Sequence, residues 1–244
     1  LVRLTHVRVS PKRKGNLMRS VLPVGMFLVL SAPSVVAAPP AQGGMNLITQ
    51  QSADGEILGW NSFHATEGTK TGDVWQLSSD GVLVCKGLPK GYLYTTKDYT
   101  DVVMSLEWRW PPEGKPGNGG LLLRMTGEHK IWPKSLEVQL NHGAAGDYWG
   151  LVGYSLAGPE ERMKTLHHEV FGRLTNVKHT RAVEKPAGQW NRCEVVLKGG
   201  EVSVTINGVL VNEARRCDVE PGKILLTAEG SEIHFRHIKI LDAD

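Results

Sequence analysis

Short β-rich runs separated by turn residues dominate the chain from residue 74 onward. Glycine, proline, asparagine and aspartate lie between the runs, and no apolar pattern with the helical period continues beyond about ten residues past the N-terminal region. We therefore expect an all-β fold, a sandwich of two antiparallel sheets. The predicted strands cover residues 74–77, 81–86, 92–95, 102–110, 120–125, 136–141, 147–152, 190–198, 201–206, 209–213, 223–228 and 233–241.

Two hairpin turns and one long irregular segment stand out between these runs. Asn207-Gly208 suits a type I′ turn, and Gly199-Gly200 forms a second turn of this kind. Residues 155–189 are polar and charged, which predicts a long loop with a helical turn near 160–167. Long loops are often functional, so His167-His168-Glu169 could complete a metal site or cap a substrate. The alternative is an exposed pair of histidines without such a role.

Basic residues gather at the start of the chain, ahead of a ten-residue apolar stretch at 21–30. This stretch is too short to span a bilayer, and small residues follow it at 34–38, which is the order found in a secretory signal peptide. We predict a signal region over 1–41, in which residues 1–17 could precede the true start of translation. A short linker over 42–55 and one domain over 56–244 follow. The alternative is an anchor helix that stays in place.

The net charge depends on whether the signal region is removed. The whole chain has 28 Lys+Arg and 25 Asp+Glu, a formal charge of +3. Six of the basic residues and none of the acidic ones precede residue 42, so the remainder has 28 − 6 = 22 basic and 25 acidic residues, a charge of −3. Nucleic-acid binding thereby loses its support. We expect a secreted or periplasmic protein with no membrane span after cleavage.

The cysteines indicate neither a disulfide scaffold nor a metal-binding motif. Cys85, Cys193 and Cys217 are an odd number and lie far apart, so at least one thiol is free and a clustered zinc motif is not formed. Cys85 lies in a run of valine and leucine and is expected to be a small buried hydrophobe. The sequence allows a Cys193–Cys217 disulfide but does not decide whether it forms.

Apolar and charged side chains alternate on several predicted strands. Successive residues of a strand point to opposite faces, so over 136–141 the apolar residues face a core while Glu137 and Gln139 face away. Over 120–125, the same rule puts Leu121, Leu123 and Met125 on one side and Arg124 on the other. If the strands are neighbours, they form one concave polar surface, which carries Glu107, Arg109, Arg124, Glu137, Gln139 and Glu229.

This polar face has two interpretations. An antiparallel sheet commonly exposes one face covered with ion pairs, and that is the simpler one. However, three carboxylates, two arginines and an amide on the same strands are suited to binding hydroxyl groups and transferring protons.

A polar concave sheet in a secreted sandwich is similar to the legume-lectin and laminarinase group. Some members hydrolyse glycosides with two carboxylates on one strand, in a signature of the form Glu-x-Asp-x-(x)-Glu. The comparable strand reads Glu137-Val138-Gln139-Leu140-Asn141 and lacks the second carboxylate. Direct retaining hydrolysis by that mechanism is therefore disfavoured.

A closer resemblance extends from about residue 56 to residue 241 and rests on motifs that occur in a fixed order. They are Gly59-Trp60, Trp75, the run 80–87, Gly91-Tyr92-Leu93-Tyr94-Thr95, Leu106-Glu107-Trp108-Arg109-Trp110, Trp132-Pro133, Leu136-Glu137-Val138-Gln139-Leu140, Gly188-Gln189-Trp190-Asn191, Asn207-Gly208, Glu229-Gly230 and Ile233-His234-Phe235-Arg236. Together they resemble a domain family once of unknown function and now associated with 3-keto-glycoside lyase/hydratase or 3-keto-disaccharide hydrolase activity. The chain departs from the pattern at residues 117–121, where relatives often have Asn-Ser-Gly followed by an aliphatic residue.

The resemblance implies an exported bacterial protein with a concanavalin A-like jelly-roll fold that cleaves 3-keto-glycosides. A ketone at C3 makes the C2 hydrogen acidic, because the carbanion is delocalised onto O3. Removal of that proton lets the C1–oxygen bond break, and water adding to the resulting enone completes net hydrolysis. Such a site needs a base near C2, an electrophile at O3 and an acid for the departing oxygen.

Each candidate residue has a functional and a structural interpretation. Glu137 is the first choice as base, and its alternative is a salt bridge to Arg124. Arg109 or Arg124 could stabilise the enolate or only neutralise a carboxylate. His142 could be an acid, a base or a metal ligand, or a loop histidine without a role. The predicted catalytic residues are Glu137, Glu107 and His142, and the predicted substrate-binding residues are Arg109, Arg124, Gln139, Trp149 and Glu229.

The cofactor and ligand expectations also follow from the resemblance. A divalent metal would act as the Lewis acid at O3, and Glu137, Gln139, His142 and Glu229 have suitable donor atoms without a tight ligand spacing. Trp132, Tyr148 and Trp149 could stack on a sugar or pack in the core. The predicted ligand is a small-molecule or oligosaccharide substrate. A non-catalytic carbohydrate-binding module and an interaction domain of an exported complex are the rival functions.

Overall fold

The computed structural model describes residues 44–242, so the predicted signal region lies outside the described residues. Within this range the strands are β1 (Met45–Asn46), β2 (Trp60–His64), β3 (Trp75–Leu77), β4 (Leu83–Cys85), β5 (Gly91–Thr95), β6 (Val102–Arg109), β7 (Gly120–Thr126), β8 (Lys134–Gln139), β9 (Tyr148–Leu151), β10 (Met163–His168), β11 (Gly172–Val177), β12 (Asn191–Lys198), β13 (Glu201–Ile206), β14 (Val209–Arg215), β15 (Lys223–Ala228) and β16 (Ile233–Asp242). One helical turn, α1 (Thr71–Val74), and one 3-10 turn (Glu160–Arg162) accompany them.

The strands form two antiparallel sheets that pack face to face. The first sheet has the order β14-β13-β12-β6-β16-β4-β3, with β1 also paired to β16, and the second has the order β10-β11-β9-β8-β7-β15-β5-β2. The inward side chains of both sheets form one apolar core, in which Trp75, Trp108 and Trp110 are fully buried. The prediction of an all-β sandwich of two antiparallel sheets is confirmed.

All of the predicted strands are present, with ends shifted by a few residues. Asn207 and Gly208 have φ values of +50° and +79° and connect β13 to β14 as the predicted tight turn. Gly199 and Gly200 connect β12 to β13 in a second tight turn, in which Gly199 has a φ of +50°. Positive φ is accessible to asparagine and glycine, which is why these dipeptides are reliable sequence signals.

The segment 155–189 differs from the prediction. After the 3-10 turn at Glu160–Arg162, β10 and β11 form a hairpin that runs from the Met163–Val177 pair to the His168–Gly172 pair. The prediction of a long loop is therefore wrong for the residues of this hairpin. β10 is an edge strand whose side chains are mostly exposed, so it lacks the apolar alternation by which a strand is recognised in sequence.

The described part of the expected linker joins the fold. β1 pairs with β16, and Leu47 and Ile48 pack against the core. Gln51 donates from Nε2 to the Trp75 carbonyl at 2.8 Å and accepts from the Leu77 amide at 2.8 Å. These contacts tie residues 45–51 to the first sheet.

The three cysteines are buried and unbridged, so the Cys193–Cys217 disulfide is not formed. Cys85 is a buried hydrophobe, as expected. Burial raises the pKa of the Cys217 thiol to about 11 and that of the Cys85 thiol to about 12, which leaves both thiols protonated near neutral pH. Within residues 44–242, none of the helices has the length and hydrophobicity needed to cross a bilayer.

Candidate active site on the outer face of the second sheet

The polar residues of β8 point away from the core. Leu136 and Val138 are core residues, whereas Glu137 and Gln139 lie on the opposite side, which we call the outer face of the second sheet. Glu137 pairs in register with Leu122 of β7 on one side and Trp149 of β9 on the other. The alternation expected over this strand is confirmed.

A second carboxylate meets β8 from the end of β15. Asn118 donates from Nδ2 to Glu229 Oε2 at 2.5 Å, and Trp132 donates from Nε1 to the same oxygen at 3.3 Å. The Oδ1 atom of Asn118 accepts from Gln139 Nε2 at 3.2 Å. Asn118 therefore links the amide of β8 to the carboxylate that follows β15.

Gly120 makes room for the Glu137 carboxylate. It pairs with Gln139, and its amide donates to Thr227 Oγ1 at 2.6 Å. A β-carbon at residue 120 would overlap Glu137 Oε1 and lie 3.1 Å from Cγ of the same side chain. The glycine thus lets Glu137 lie across β7, on the β15 side.

The pKa values of both carboxyl groups are raised, for related reasons. Burial is the main cause at Glu137, followed by the negative charge of Glu229, and the pKa rises well above the ordinary value. Burial also raises the pKa of Glu229, but hydrogen bonds from Thr227, Trp132 and Asn118 and the charge of Lys90 oppose it. Glu229 is therefore the member of the pair that ionises more readily, and Glu137 is the member that holds a proton.

This difference predicts a pH dependence of stability. A carboxyl group whose pKa is raised by folding contributes stability that is fully present below its ordinary pKa of 4.5 and is lost as the pH rises through the folded value. Glu137→Gln keeps a neutral side chain of the same shape and removes this dependence. We expect urea denaturation to show the variant gaining stability relative to the unsubstituted protein between pH 4.5 and neutrality. A difference that stays constant over this range contradicts the raised pKa.

Two buried acceptors at the site have no protein donor among residues 44–242. These atoms are Gln139 Oε1 and Glu229 Oε1. Buried acceptors are normally satisfied, so unpaired ones beside two carboxyl groups point to a ligand that supplies hydroxyl groups. The arrangement can therefore bind a polyol and exchange protons with it.

Aromatic side chains border the carboxyl groups. A small cavity beside Glu229 is lined by Lys90, Tyr92, Ile131 and Trp132 among others. The Trp132 ring lies 4.5 Å from the Phe171 ring, which in turn lies 4.7 Å from that of His168. The turn of the β10–β11 hairpin thus reaches this site, and His168 contributes a ring contact there.

Glu107 and Arg109 do not join this site, and the expectation of a shared face is wrong for them. Both lie on β6, which belongs to the first sheet and pairs with β12 and β16. Glu107 accepts from Arg236 Nε at 2.7 Å, and Arg109 packs on the Trp190 ring at 4.5 Å. Their strand alternates as expected, but its polar face belongs to the other side of the sandwich.

Arg124 is also placed differently, because a β-bulge interrupts β7. Its φ is +50°, and the register with β8 shifts between Leu123 and Thr126. The shift puts Met125 in the outer apolar cluster rather than beside Leu121 and Leu123 in the core. The Arg124 guanidinium is buried and binds the carbonyls of Thr100, Gly199 and Asp218 and the carboxylate of Asp101, so neither substrate binding nor a Glu137 salt bridge fits its position.

His142 turns toward a different carboxylate. Its Nδ1 atom lies 3.1 Å from Glu184 Oε2, and Glu184 Oε1 accepts from Trp110 Nε1 at 2.9 Å. His142 therefore does not join Glu137, Gln139 and Glu229, the other three donors predicted for a divalent metal. In the part of the chain that the structure describes, no three His, Cys, Asp or Glu side chains converge to hold a metal ion. The metal stays a prediction.

Of the predicted site residues, Glu137, Gln139, Trp149 and Glu229 share the outer face. Tyr148, the neighbour of Trp149, points into the core. Asn118 and Thr227 were not predicted. Thr227 follows the alternation of β15 and could have been found, whereas Asn118 lies in a glycine-rich loop that carries no periodic signal.

Two solved structures are similar to this chain in fold. A protein from Parabacteroides distasonis, described as a candidate glycosyl hydrolase, matches 76% of this chain and 89% of its own, with 21% identity and a TM-score of 0.52. The carbohydrate-binding module CBM66 from Bacillus subtilis matches 74% of this chain and 93% of its own, with 11% identity and a TM-score of 0.51. At these identities the likeness establishes the jelly-roll fold alone. Comparison with curated protein sequences gives no match.

A family model adds what the fold alone does not. It covers residues 49–241, which is nearly all of the described range and includes both carboxyl groups of the site. The resemblance noted in the motifs is confirmed, and the chain belongs to the family of the 3-keto-alpha-glucoside-1,2-lyase-like domain.

Proposed function

We propose that the protein cleaves 3-keto-glycosides by elimination across C1 and C2 followed by hydration, which amounts to net hydrolysis. The observation that carries the proposal is the pair Glu137 and Glu229, buried together on one sheet face with raised pKa values. Membership of the 3-keto-alpha-glucoside-1,2-lyase-like family supports the substrate class. A base and an acid side by side are what removal of a C2 proton and departure of a C1 oxygen require.

In the first half of the reaction, Glu229 takes the C2 proton as a carboxylate, and the electron pair moves into the enolate at O3. The enolate then expels the C1 oxygen, which receives the proton of Glu137. This assignment makes Glu137 the acid, whereas the sequence predicts that it is the base. The reason is that the carboxyl group with fewer hydrogen bonds is the one that stays protonated.

In the second half, the two groups exchange roles. Glu137, now ionised, removes a proton from the water that adds to C1 of the enone, and Glu229 returns its proton to C2. The amide groups of Asn118 and Gln139 are the neighbouring donors for sugar oxygens, and Gln139 Oε1 accepts from a hydroxyl group. Both carboxyl groups end in the protonation state in which they began.

The decisive experiment uses the purified protein and a 3-keto-disaccharide. We expect free sugar, detected by chromatography, and a transient enone, detected by its ultraviolet absorbance. The same reaction with EDTA tests the predicted metal, since a required ion would be lost on chelation and its return would restore turnover. Absence of product with and without added divalent ions would refute the enzymatic proposal for this substrate class.

Replacement of Gly120 tests the placement of Glu137. Because a β-carbon at residue 120 overlaps the Glu137 carboxylate, we expect Gly120→Ala to lower kcat by roughly 10- to 100-fold. Gly200→Ala is a matched control, since its β-carbon would meet no atom closer than 3.7 Å. Equal kcat values for the two variants, with both folded by circular dichroism, contradict the crowded position of Glu137.

A carbohydrate-binding module without activity is the second candidate. The observation that favours it is the presence of Trp132 and Trp149 beside polar groups that can bind hydroxyls. This alternative expects no turnover by the unsubstituted protein, and sugar affinity that is lost when Trp149 is replaced.

We also propose that the protein is exported, to the periplasm or the medium. The support is the order of basic residues, apolar decamer and small residues within residues 1–41. We expect the mature protein, recovered from the periplasm or medium of an expressing bacterium, to begin near residue 42 by N-terminal sequencing. Recovery of the uncleaved chain in the membrane fraction contradicts cleavage of the signal region and supports the anchor.

A further inference from the structure

The outer face of the second sheet has two chemically different halves. The polar half holds the carboxyl pair with Asn118, Gln139 and Thr227. The other half is an apolar cluster, in which Leu122, Leu225 and Met125 are buried on the side of the sheet opposite the main core. A ligand lying across this face would meet hydroxyl-binding groups at one end and hydrocarbon at the other.

Four rings form a compact group on the apolar half, which we call the ring cluster: Phe63, Tyr92, Tyr94 and His129. The Phe63 and Tyr92 rings stack with centroids 5.2 Å apart, and Tyr94 meets Tyr92 edge-on at 6.0 Å. Tyr92 pairs in register with Thr227, the residue whose hydroxyl binds the Gly120 amide beside Glu137. The ring cluster therefore begins one strand away from the carboxyl pair.

His129 differs from the other three rings because it comes from the loop between β7 and β8. Its ring lies 4.4 Å from Tyr94, 5.8 Å from Phe63 and 5.9 Å from Tyr92, so it touches every other member. The residue is exposed, and the side-chain hydrogen bond it makes joins Nδ1 to the Tyr92 hydroxyl at 2.9 Å. The loop starts at Gly127, with φ of +81°. A flat ring from an exposed loop thus packs against three rings that the strands β2 and β5 carry.

We propose that the ring cluster is an aglycone subsite for an aromatic group, which takes the position of the His129 ring against Tyr94 and Phe63. The inference rests on the proposed function, and it adds the class of leaving group: an aryl or arylmethyl alcohol. The 3-keto sugar then lies over the carboxyl pair, with its C1 oxygen beside Glu137 and the aryl group directed toward β5.

The surroundings favour an aromatic group over a second sugar at this subsite. A sugar needs several hydrogen-bond partners, and the floor here is Leu122 and Leu225. Aromatic pairs at these separations gain stability from ring geometry as well as from burial.

The test compares kcat and KM for benzyl and glucosyl 3-keto-glucosides of the same anomeric configuration. Tyr94→Leu removes the ring and keeps an apolar side chain, and we expect KM for the benzyl substrate to rise roughly three- to tenfold while the glucosyl value stays constant. Tyr94→Phe, the matched control, should keep the benzyl KM. His129→Ala, at an exposed position, should lower the benzyl KM because it frees the position that the aromatic group would take.

The outcomes separate this inference from the proposed function. Turnover of both substrates, with a benzyl-to-glucosyl KM ratio that none of these variants changes, overturns the subsite and leaves the function intact. If neither substrate is cleaved, titration with benzyl alcohol followed by NMR decides the subsite alone. Saturable shifts of the His129 and Tyr94 ring signals, lost in Tyr94→Leu, support it, and unchanged signals overturn it.

Discussion

Glu137→Gln is expected to lower kcat for a 3-keto-disaccharide by about 100- to 10,000-fold, the usual contribution of a positioned general acid or base. The amide preserves the shape of the side chain and removes the proton that the C1 oxygen must receive. Substrate binding should persist, because Asn118 and Gln139 retain their contacts with each other. Stopped assays with and without enzyme measure kcat. Calorimetric titration with the substrate measures substrate binding.

Two further variants complete this experiment. Glu229→Gln should cause a loss of similar size, because the pair acts as a unit. Glu194→Gln is the matched control: its carboxylate pairs with Arg192 at 2.9 Å on the first sheet, and activity should be unchanged. If Glu137→Gln retains the activity of the control, Glu137 is not the general acid, and the proposed mechanism is wrong.

Arg124→Met is expected to reduce the free energy of unfolding by about 3–5 kcal/mol, as loss of one partner of a buried charged network does. The Arg124 side chain is 1% exposed, and it donates to three carbonyl oxygens and to Asp101 at 3.0 Å. Methionine fills similar space but leaves those acceptors without a donor. Equilibrium denaturation in urea measures the loss.

Arg192→Met is the control for this second prediction. Arg192 pairs with Glu194, and its side chain is 31% exposed, so its loss should cost about 0–1 kcal/mol. An Arg124→Met protein that is as stable as this control but fails to bind substrate would restore the substrate-binding role expected from the sequence.

The fold was largely predictable because its signals are local. Strand residues alternate with a period of two, and the turn dipeptide Asn207-Gly208 adopts its backbone conformation without help from distant parts of the chain. Of the strands that escaped prediction, β2 and β10 are the edges of the second sheet, β11 lies beside β10, and β1 has only two residues. In β2, Trp60 faces the core while Phe63 faces outward, so the aromatic residues do not fall on one face.

The site was predictable only in part because it depends on strand order. The sequence placed Glu137 and Gln139 on one face of β8, and the structure agrees. It could not show that β6 belongs to the other sheet, since sheet order is decided by contacts between residues far apart in the chain. Neither could it show that the Arg124 bulge reverses the pattern of β7.

The sequence by itself determined that this chain is a two-sheet sandwich, which strand positions are apolar, and that Glu137 faces away from the core. Each of these follows from the two-residue repeat of an extended backbone, which is a property of neighbouring residues. The tertiary structure decided that Glu137 meets Glu229, with Asn118 between β8 and the end of β15. Burial raises both pKa values, and the charge of Glu229 raises that of Glu137 further, and these effects exist only after β7, β8 and β15 have paired.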